Sequence, residues 1–323
     1  MGRRALVDVS NQRVANLPLG KRSTNNSISC KADEGRPEIR IMAPRPAAPR
    51  LDDFEMDVEK DIRYVCEYAK EIHDNYLLNE PKLLPNADYM RKQTDITARM
   101  RAILIDWIVE VHQKFKMQPQ TLYICVNILD RYLERRVVKR DELQLIGCAA
   151  LWIASKIEEI YSPEVRDFVH ISDRAFKASD LLAMEGQLLN VLEFKLTFPT
   201  HFVFLTRWLR VANADKRQKL FASYCVERML QEYSFLRYKP SMIAAAALYL
   251  ATEVIPGSQP AWTSLLEKHT SYSAGDLESC VREMRDIIAD AEHRSLLAVR
   301  KKYNTEEHGF VARISVAKSE FTE

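Results

Sequence analysis

An internal repeat constrains the fold of this chain more than any other feature of its sequence. The segment IGCAALWIASKIEE, at residues 146–159, returns 97 residues later as IAAAALYLATEVIP, at residues 243–256. A second and fainter pair, residues 178–192 and 274–288, lies 96 residues apart. Separate segments that keep nearly the same spacing predict a duplicated domain, because each copy then repeats the same order of elements.

The spacing of apolar residues predicts helices throughout both copies. No convincing alternation with a period of two occurs, so the predicted fold class is all-α, with five helices in each repeat. In the first repeat these helices are predicted at residues 99–115, 119–135, 141–159, from about 163, and 179–192. The alanine-rich third helix should lie in the middle of each bundle, because small side chains let neighbouring helices approach closely. The helix at residues 99–115 is apolar on more than one face, which predicts that other helices surround it as well.

The first fifty residues differ in composition from the rest of the chain. They contain no Phe, Tyr or Trp, five of the 13 prolines, and ten Lys or Arg against four Asp or Glu. A segment with so little apolar surface to bury is predicted to be disordered. The predicted domains are a disordered N-terminal tail at 1–58, a first repeat with a leading helix at 59–196, a second repeat at 197–305, and a C-terminal tail at 306–323.

Composition argues against several classes of protein. The longest uncharged apolar runs are about half the length that a membrane span needs, so no membrane association is expected. The six cysteines form no CxxC pair, and the eight glycines form no phosphate-binding loop, so neither a metal nor a cofactor is expected. Residues beyond the first fifty are mildly acidic, which disfavours nucleic-acid binding. With no nucleophile and base in a recognisable arrangement, the chain is predicted not to be an enzyme.

Several blocks of sequence resemble the cyclin family. They read MRAILIDWIVEVH at residues 100–112, LDRYL at 129–133 and LQLIGCAALWIASKIEEIYSPEV at 143–165, and the resemblance covers about residues 60–305. It is strongest to mitotic B-type cyclins. It implies two tandem five-helix cyclin-box domains and a non-catalytic subunit that activates a cyclin-dependent kinase at the G2/M transition, in nucleus and cytoplasm. An A-type cyclin is the nearer alternative, and a general transcription factor of the TFIIB type, which has two such repeats, is the more distant one.

The five positions typical of the family's first repeat are all present: Arg101, Asp130, Leu145, Lys156 and Glu185. The resemblance implies that Arg101 and Asp130 pair inside the bundle, and that Lys156 and Glu185 bind the backbone of the kinase beside its regulatory helix. Apolar residues are expected to flank that charged pair, namely Tyr68, Ile72, Ile157, Leu189 and Phe194.

Lys156 also has a simpler explanation, because a cation at a helix C-terminus is favourable against the dipole. Glu158 and Glu159 follow it at the same helix end, where carboxylates gain nothing from the dipole. Their presence indicates that charge is needed there for some purpose other than helix stability.

A second candidate site is a groove that, in the family, binds basic-x-Leu motifs of substrates. The matching residues are Met100, Ile103, Leu104, Trp107, Glu110 and Gln144. Glu110 would meet the basic residue of the peptide, and Gln144 the peptide backbone. The apolar members also have ordinary helical spacing, so the sequence leaves open whether they line a groove or belong to the core.

The start of the chain, RRALVDVSN, resembles the destruction box of mitotic cyclins through Arg3, Leu6, Val9 and Asn11. Five RxxL matches occur in the chain, but only this one has both an apolar residue at its seventh position and Asn at its ninth. The implied partner is the anaphase-promoting ubiquitin ligase, with Lys21 and Lys31 as candidate ubiquitin acceptors. The alternative is a basic tail without a motif.

Overall fold

A computed structural model describes residues 68–257 and 260–319 of the chain. The predicted disordered tail and the four destruction-box residues lie outside these ranges. Every regular element that the described ranges contain is helical, which confirms the all-α prediction. The helices of the first half are α1 (Ala69–Asn79), α2 (Ala98–Lys114), α3 (Pro119–Arg135), α4 (Leu143–Glu158), α5 (Val165–Ile171) and α6 (Ala178–Val191). Those of the second half are α7 (His201–Val211), α8 (Lys216–Leu230), α9 (Pro240–Val254), α10 (Ser264–Thr270), α11 (Ala274–Ala289) and α12 (Ala298–Tyr303).

The third helix of each repeat lies among other helices of its bundle, as the alanine-rich pattern predicts. Helix α4 packs against α3, α6 and α2, and helix α9 packs against α7, α8 and α11. Close approach is needed at Gly147 in α4, where an added Cβ would lie 2.9 Å from a methyl carbon of Leu104. Small residues therefore set the distance between α2 and α4.

Helix α2 is less enclosed than its two apolar faces predict. Thr97 caps it by accepting a hydrogen bond from the Met100 backbone N–H at 3.3 Å. Only one side of the helix is buried, and Ile103 and Trp107 on the other side stay partly exposed. The prediction of a fully surrounded helix is wrong, because α2 packs on α3, α4 and α12 while the side that carries Ile103 and Trp107 is only partly covered.

Arg101 and Asp130 form a buried ion pair between α2 and α3. The Arg101 Nε and Nη2 atoms lie 2.6 and 2.7 Å from the two carboxylate oxygens of Asp130. Tyr89 donates its hydroxyl to the same carboxylate at 2.8 Å. The remaining Arg101 nitrogen, Nη1, donates to the carbonyl of Leu230 in the second repeat at 3.1 Å. One buried network therefore holds the first bundle together and links it to the second.

The leading helix α1 packs on the second repeat, although its place in the sequence puts it with the first. The His73 ring lies edge-on to Phe204 and Trp208 of α7, with centroids 6.0 and 6.3 Å apart. After α1, the buried Glu80 carboxylate accepts hydrogen bonds from the backbone N–H and the hydroxyl of Ser241, at 3.1 and 2.7 Å.

The described part of the predicted C-terminal tail, residues 306–319, is folded against the second repeat. Val311 and Val316 are buried there, and the Ser319 backbone N–H donates to the Asp286 carboxylate of α11 at 3.0 Å. These contacts extend the packed second repeat beyond the predicted end at residue 305.

Candidate functional site

A charged pair, Lys156 and Glu185, joins the last turn of α4 to α6. The Lys156 Nζ atom lies 2.5 Å from Glu185 Oε1 and 3.2 Å from the centroid of the Trp152 ring. The lysine side chain keeps 39% of its surface exposed and the glutamate side chain 16%. The pair is therefore held in one arrangement by the protein itself and can still be reached by a partner.

Predicted apolar residues lie close to this pair along α4, along α6 and in the turn after α6. Ile157 follows Lys156 directly, and Leu189 lies one turn after Glu185 on α6. The Phe194 backbone N–H donates to the Leu189 carbonyl at 3.0 Å, and 65% of Phe194 is exposed. The structure thus brings together five of the seven predicted kinase-binding residues.

The other two predicted kinase-binding residues lie on α1. Tyr68 and Ile72 stand one helical turn apart at its start, and both are exposed. Exposed large apolar groups are candidates for contact with another protein.

Phe194 is presented by an unusual turn of the backbone. Glu193 and Phe194 both have positive φ angles, 54° and 55°, which non-glycine residues rarely adopt. The turn is braced by α3, where Arg135 Nη1 donates to the Val191 carbonyl at 2.6 Å and Arg131 Nη1 donates to the Lys195 carbonyl at 2.7 Å. Asp173 and Arg174 end α5 with a similar pair of positive φ angles, so this is a way of ending a helix that here leaves Phe194 exposed.

Three exposed apolar residues belong to the same part of the molecule and escaped the sequence reasoning. Ile160 and Tyr161, just after α4, are each 90% exposed, and Leu182 projects from α6 one turn before Glu185. The available signal was the pair of large apolar residues before Ser162 and Pro163, where no helical period requires them.

Glu159 has a structural role that corrects the sequence argument about charge at the end of α4. Its Oε1 atom accepts hydrogen bonds from the Gln118 backbone N–H at 2.7 Å and from the Thr121 hydroxyl at 2.5 Å. Glu159 therefore lies at the N-terminus of α3, where a carboxylate is favourable with the dipole. Of the two glutamates, only the exposed Glu158 still fits the interpretation that charge at this helix end serves a purpose other than helix stability.

The predicted groove residues divide into exposed and buried members. Met100, Ile103 and Trp107 form a half-buried stripe on α2, Glu110 is exposed beyond them, and Gln144 is half-buried on α4. Leu104 is 1% exposed and packs beneath the stripe against α4, so it belongs to the core and lines no open groove. Leu145, the remaining family position, is half-buried against the core.

Helix α12 borders the acidic end of this stripe. Lys301 Nζ lies 3.9 Å from Glu110 Oε1, and both side chains are about half exposed. Partial burial raises the pKa of Glu110, and the Lys301 charge opposes that shift. The carboxylate expected to meet a basic peptide residue thus already has a cation beside it.

Residues 68–257 and 260–319 contain neither a metal-binding cluster nor a membrane-spanning helix. No group of three or more His, Cys, Asp or Glu side chains in these ranges could hold a metal ion. Their helices include none that is long and apolar enough to cross a bilayer.

The fold and the site define a two-repeat helical protein with a fixed charged pair and exposed apolar side chains at one end of α4. Residues 71–197 match the family model described as "Cyclin, N-terminal domain", and residues 199–317 match "Cyclin, C-terminal domain". The chain belongs to the cyclin family. These matches favour this family over the transcription-factor alternative.

Individual relatives include both B-type and A-type cyclins. The chain is 42% identical over 251 residues to Cyclin-B2-1 of Oryza sativa subsp. japonica, covering 78% of this chain and 60% of that protein. It is 38% identical over 259 residues to Cyclin-A1-2 of Arabidopsis thaliana, covering 78% of this chain and 59% of that protein. The chain therefore spans about 60% of the length of these relatives.

A solved structure has the same fold. The viral cyclin from herpesvirus saimiri aligns with a TM-score of 0.61 at 24% identity, over 67% of this chain and 95% of the viral protein.

Proposed function

We propose that this protein is the activating, non-catalytic subunit of a cyclin-dependent protein kinase. The observation that carries the proposal is the Lys156–Glu185 pair, fixed at 2.5 Å within a surface of exposed apolar side chains. Such a surface has the anatomy of a stable protein interface, an apolar core with a few positioned charges. Membership of the cyclin family supports a kinase as the partner.

Activation follows from selective binding. A protein kinase needs an ion pair between a strand lysine and a glutamate of its regulatory helix before it can position ATP. A rigid surface that binds only the engaged arrangement shifts the kinase toward it. To shift the ratio of engaged to disengaged kinase from 1:99 to 99:1, the cyclin must bind the engaged form about 5.5 kcal/mol more tightly, which an interface of this kind can supply.

Charge reversal tests the proposed kinase contact. Lys156→Glu and Glu185→Lys should each weaken binding to a purified mitotic cyclin-dependent kinase at least roughly 30-fold, the loss typical of an interface hot spot. Histone phosphorylation by the complex should fall in parallel. Binding is measured by calorimetry, and folding by circular dichroism and melting temperature.

The double variant Lys156→Glu/Glu185→Lys separates recognition from structure. It keeps an internal ion pair but exchanges the charges that the kinase meets, so kinase binding should stay lost. Arg282 and Glu278, an exposed pair on α11, serve as the control swap and should leave binding unchanged. Recovery of kinase binding in the Lys156/Glu185 double variant would show that the pair acts only within the cyclin.

The proposal includes a mitotic role at the G2/M transition, in nucleus and cytoplasm, ended by proteolysis. It is supported by the likeness to B-type cyclins and by the destruction-box pattern of Arg3, Leu6, Val9 and Asn11. An A-type role is the alternative, which the likeness to Cyclin-A1-2 supports. The proposed ligase partner is the anaphase-promoting ubiquitin ligase.

Half-life in mitotic extract tests the destruction box. Arg3→Ala with Leu6→Ala should prolong the life of the full chain severalfold, because both proposed anchor side chains are removed. The control is Arg13→Ala with Leu17→Ala, which alters the same segment but not the pattern. Equal half-lives for the two variants would reduce the pattern to coincidence.

The stripe of Met100, Ile103 and Trp107 is proposed to bind basic-x-Leu motifs of substrates, with Glu110 and Gln144 at its edge. Its partial exposure supports this role. Leu104 is left out of the contact set because its side chain is buried.

A further inference from the structure

A polar cleft of about 530 Å³ lies along the C-terminal half of α3, away from the charged pair that joins α4 and α6. Two short 3-10 helices, Glu80–Leu83 and Tyr89–Lys92, contribute its opposite wall. Its volume is within the usual range of ligand sites, roughly 300–1,000 Å³. Besides two leucines, its lining is charged and consists of Lys82, Lys92, Arg131, Glu134 and Arg135. We call it the basic cleft.

Within the part of the chain that the structure describes, the four cations of the basic cleft form no direct ion pair with a carboxylate. Glu134 accepts a hydrogen bond from the Asn86 backbone N–H at 3.1 Å instead. The charge of Arg135 nevertheless acts on Glu193, and that of Glu134 acts on Arg131. The cleft therefore gathers four positive charges against one negative charge.

Arg131 is the central group of the basic cleft and has a free donor. Its side chain is 2% exposed, and its Nη1 atom donates to the Lys195 carbonyl at 2.7 Å. Its Nη2 atom is buried and has no hydrogen-bond partner. Arg228 Nε and Nη1 are also buried without a partner among the described residues, but of these nitrogens only that of Arg131 belongs to a cleft lined by further cations, where an anion would supply the acceptor.

The helix dipole explains only part of this cluster. A cation such as Arg135 is favourable at the C-terminus of α3. The last carbonyls of that helix are already satisfied, because Gln93 Nε2 donates to the carbonyls of Leu133 and Arg136, at 2.6 Å each. Lys82 and Lys92 come from other segments, so the dipole of α3 does not account for their convergence.

We propose that the basic cleft binds the phosphate group of a phosphorylated serine or threonine in a partner protein. Arginine and lysine side chains bind phosphate oxygens through strong charge-assisted hydrogen bonds. No aromatic side chain lines the cleft, so it offers no platform on which a nucleotide base could stack. The acidic balance of residues 51–323 disfavours a polynucleotide.

The basic cleft is connected to the proposed kinase surface through the backbone. Arg131 and Arg135 donate to the carbonyls of Lys195 and Val191, on either side of the exposed Phe194. A phosphorylated segment bound in the cleft would thus be held next to the turn that presents Phe194. The proposal itself does not depend on kinase binding and is tested without a kinase.

Calorimetry with the full chain tests the proposal, with N-acetyl-O-phosphothreonine N-methylamide as probe. The probe should bind, and its unphosphorylated counterpart should not. Binding should weaken between about pH 7 and pH 5, because the phosphate loses its second charge near pKa 6. The variant Lys82→Glu/Lys92→Glu should reduce affinity at least roughly tenfold through loss of two charge-assisted contacts, and Lys92→Arg should retain it.

Lys114→Glu/Lys216→Glu is the matched control, since these lysines are also exposed but lie on α2 and α8, outside the cleft. It should bind the probe as the unaltered chain does, and circular dichroism should show both double variants folded. Equal affinity of the two double variants, or equal binding of the unphosphorylated compound, would overturn the proposal. ATP is tested in the same way. If ATP bound more tightly than the probe, and if the Lys82→Glu/Lys92→Glu variant lost that binding, the cleft would be a nucleotide site and the proposal would be overturned as well.

Discussion

Arg101 forms hydrogen bonds with both repeats. Three of its nitrogens are bound, two to Asp130 and one to the Leu230 carbonyl. Burial, and then the Asp130 charge, raise the pKa of Tyr89 far above its usual value, so its hydroxyl stays protonated and donates to Asp130. Because every partner in this network is buried, loss of either charged side chain would leave the other uncompensated, at a cost of about 3–5 kcal/mol.

Lys301 is predicted to lower the preference of the proposed groove for basic peptides. Its ammonium lies 3.9 Å from the Glu110 carboxylate, the group expected to meet the basic residue of a substrate motif. Lys301→Ala should strengthen binding of an Arg-x-Leu peptide up to about fivefold, the range of an exposed ion pair. Fluorescence polarisation with the labelled peptide measures the change.

The same peptide with Ala in place of Arg is the control and should bind both chains alike. Adding Glu110→Gln to Lys301→Ala should cancel the gain, since the competed carboxylate is then absent. A gain of equal size for both peptides would mean that Lys301 acts on the shape of the groove and not on its charge.

At the scale of helices, one glycine in α4 and one in α6 test how closely each helix packs on its neighbours. A Cβ at Gly147 of α4 would lie 2.9 Å from Leu104 Cδ1, whereas a Cβ at Gly186 of α6 would meet nothing within 4 Å. Gly186→Ala should therefore stabilise the protein by up to about 1 kcal/mol, the difference in helix propensity. At Gly147 the same gain is offset by overpacking of about 1–3 kcal/mol, so Gly147→Ala should be neutral or destabilising.

Urea denaturation followed by circular dichroism measures both free energies of unfolding. The two glycines share a residue type and a helical conformation, so each is the control for the other. If both substitutions stabilised the protein equally, the close approach of α2 and α4 at Gly147 would not exist in solution.

Helix positions were predictable because they depend on local pattern. The predicted spans 119–135 and 179–192 correspond to α3 at Pro119–Arg135 and α6 at Ala178–Val191. The enclosure of α2 was not predictable, because two apolar faces look alike in sequence whether the second one meets a neighbouring helix or a partly open surface.

At the scale of the whole described body, the structure is held together by polar contacts between the two repeats in addition to its core. Asp106 Oδ1 on α2 accepts hydrogen bonds from Gln231 Nε2 at 2.7 Å and from the Ala298 backbone N–H at 2.9 Å, both in the second half. With Arg101 and Glu80, it makes three separate links between the halves. The described body should therefore unfold as one unit.

Calorimetry tests this cooperativity. The unaltered chain should show a single transition whose calorimetric and van't Hoff enthalpies agree. Asp106→Ala should lower the free energy of unfolding by about 1–3 kcal/mol, because it leaves two donors of the second half, Gln231 Nε2 and the Ala298 backbone N–H, without an acceptor. Asp106→Asn, which keeps a carbonyl oxygen, should recover most of the loss. Two separate transitions in the unaltered chain would contradict the prediction.

The sequence alone determined the helical class, the duplication and the enclosed third helices, because periodicity and small residues act over a few turns of chain. It also singled out Lys156 and Glu185 through the family pattern, and the structure brings them within 2.5 Å.

Only the tertiary structure decided which distant segments meet. It packs α1 on the second repeat and places Glu159 at the N-terminus of α3. It buries Leu104 beneath the stripe in which Trp107 is half exposed, and it brings the four cations of the basic cleft together from separate segments. These features depend on how helices pack and on the paths of the loops between them. The local periodicity of the sequence determines neither the helix packing nor the loop paths.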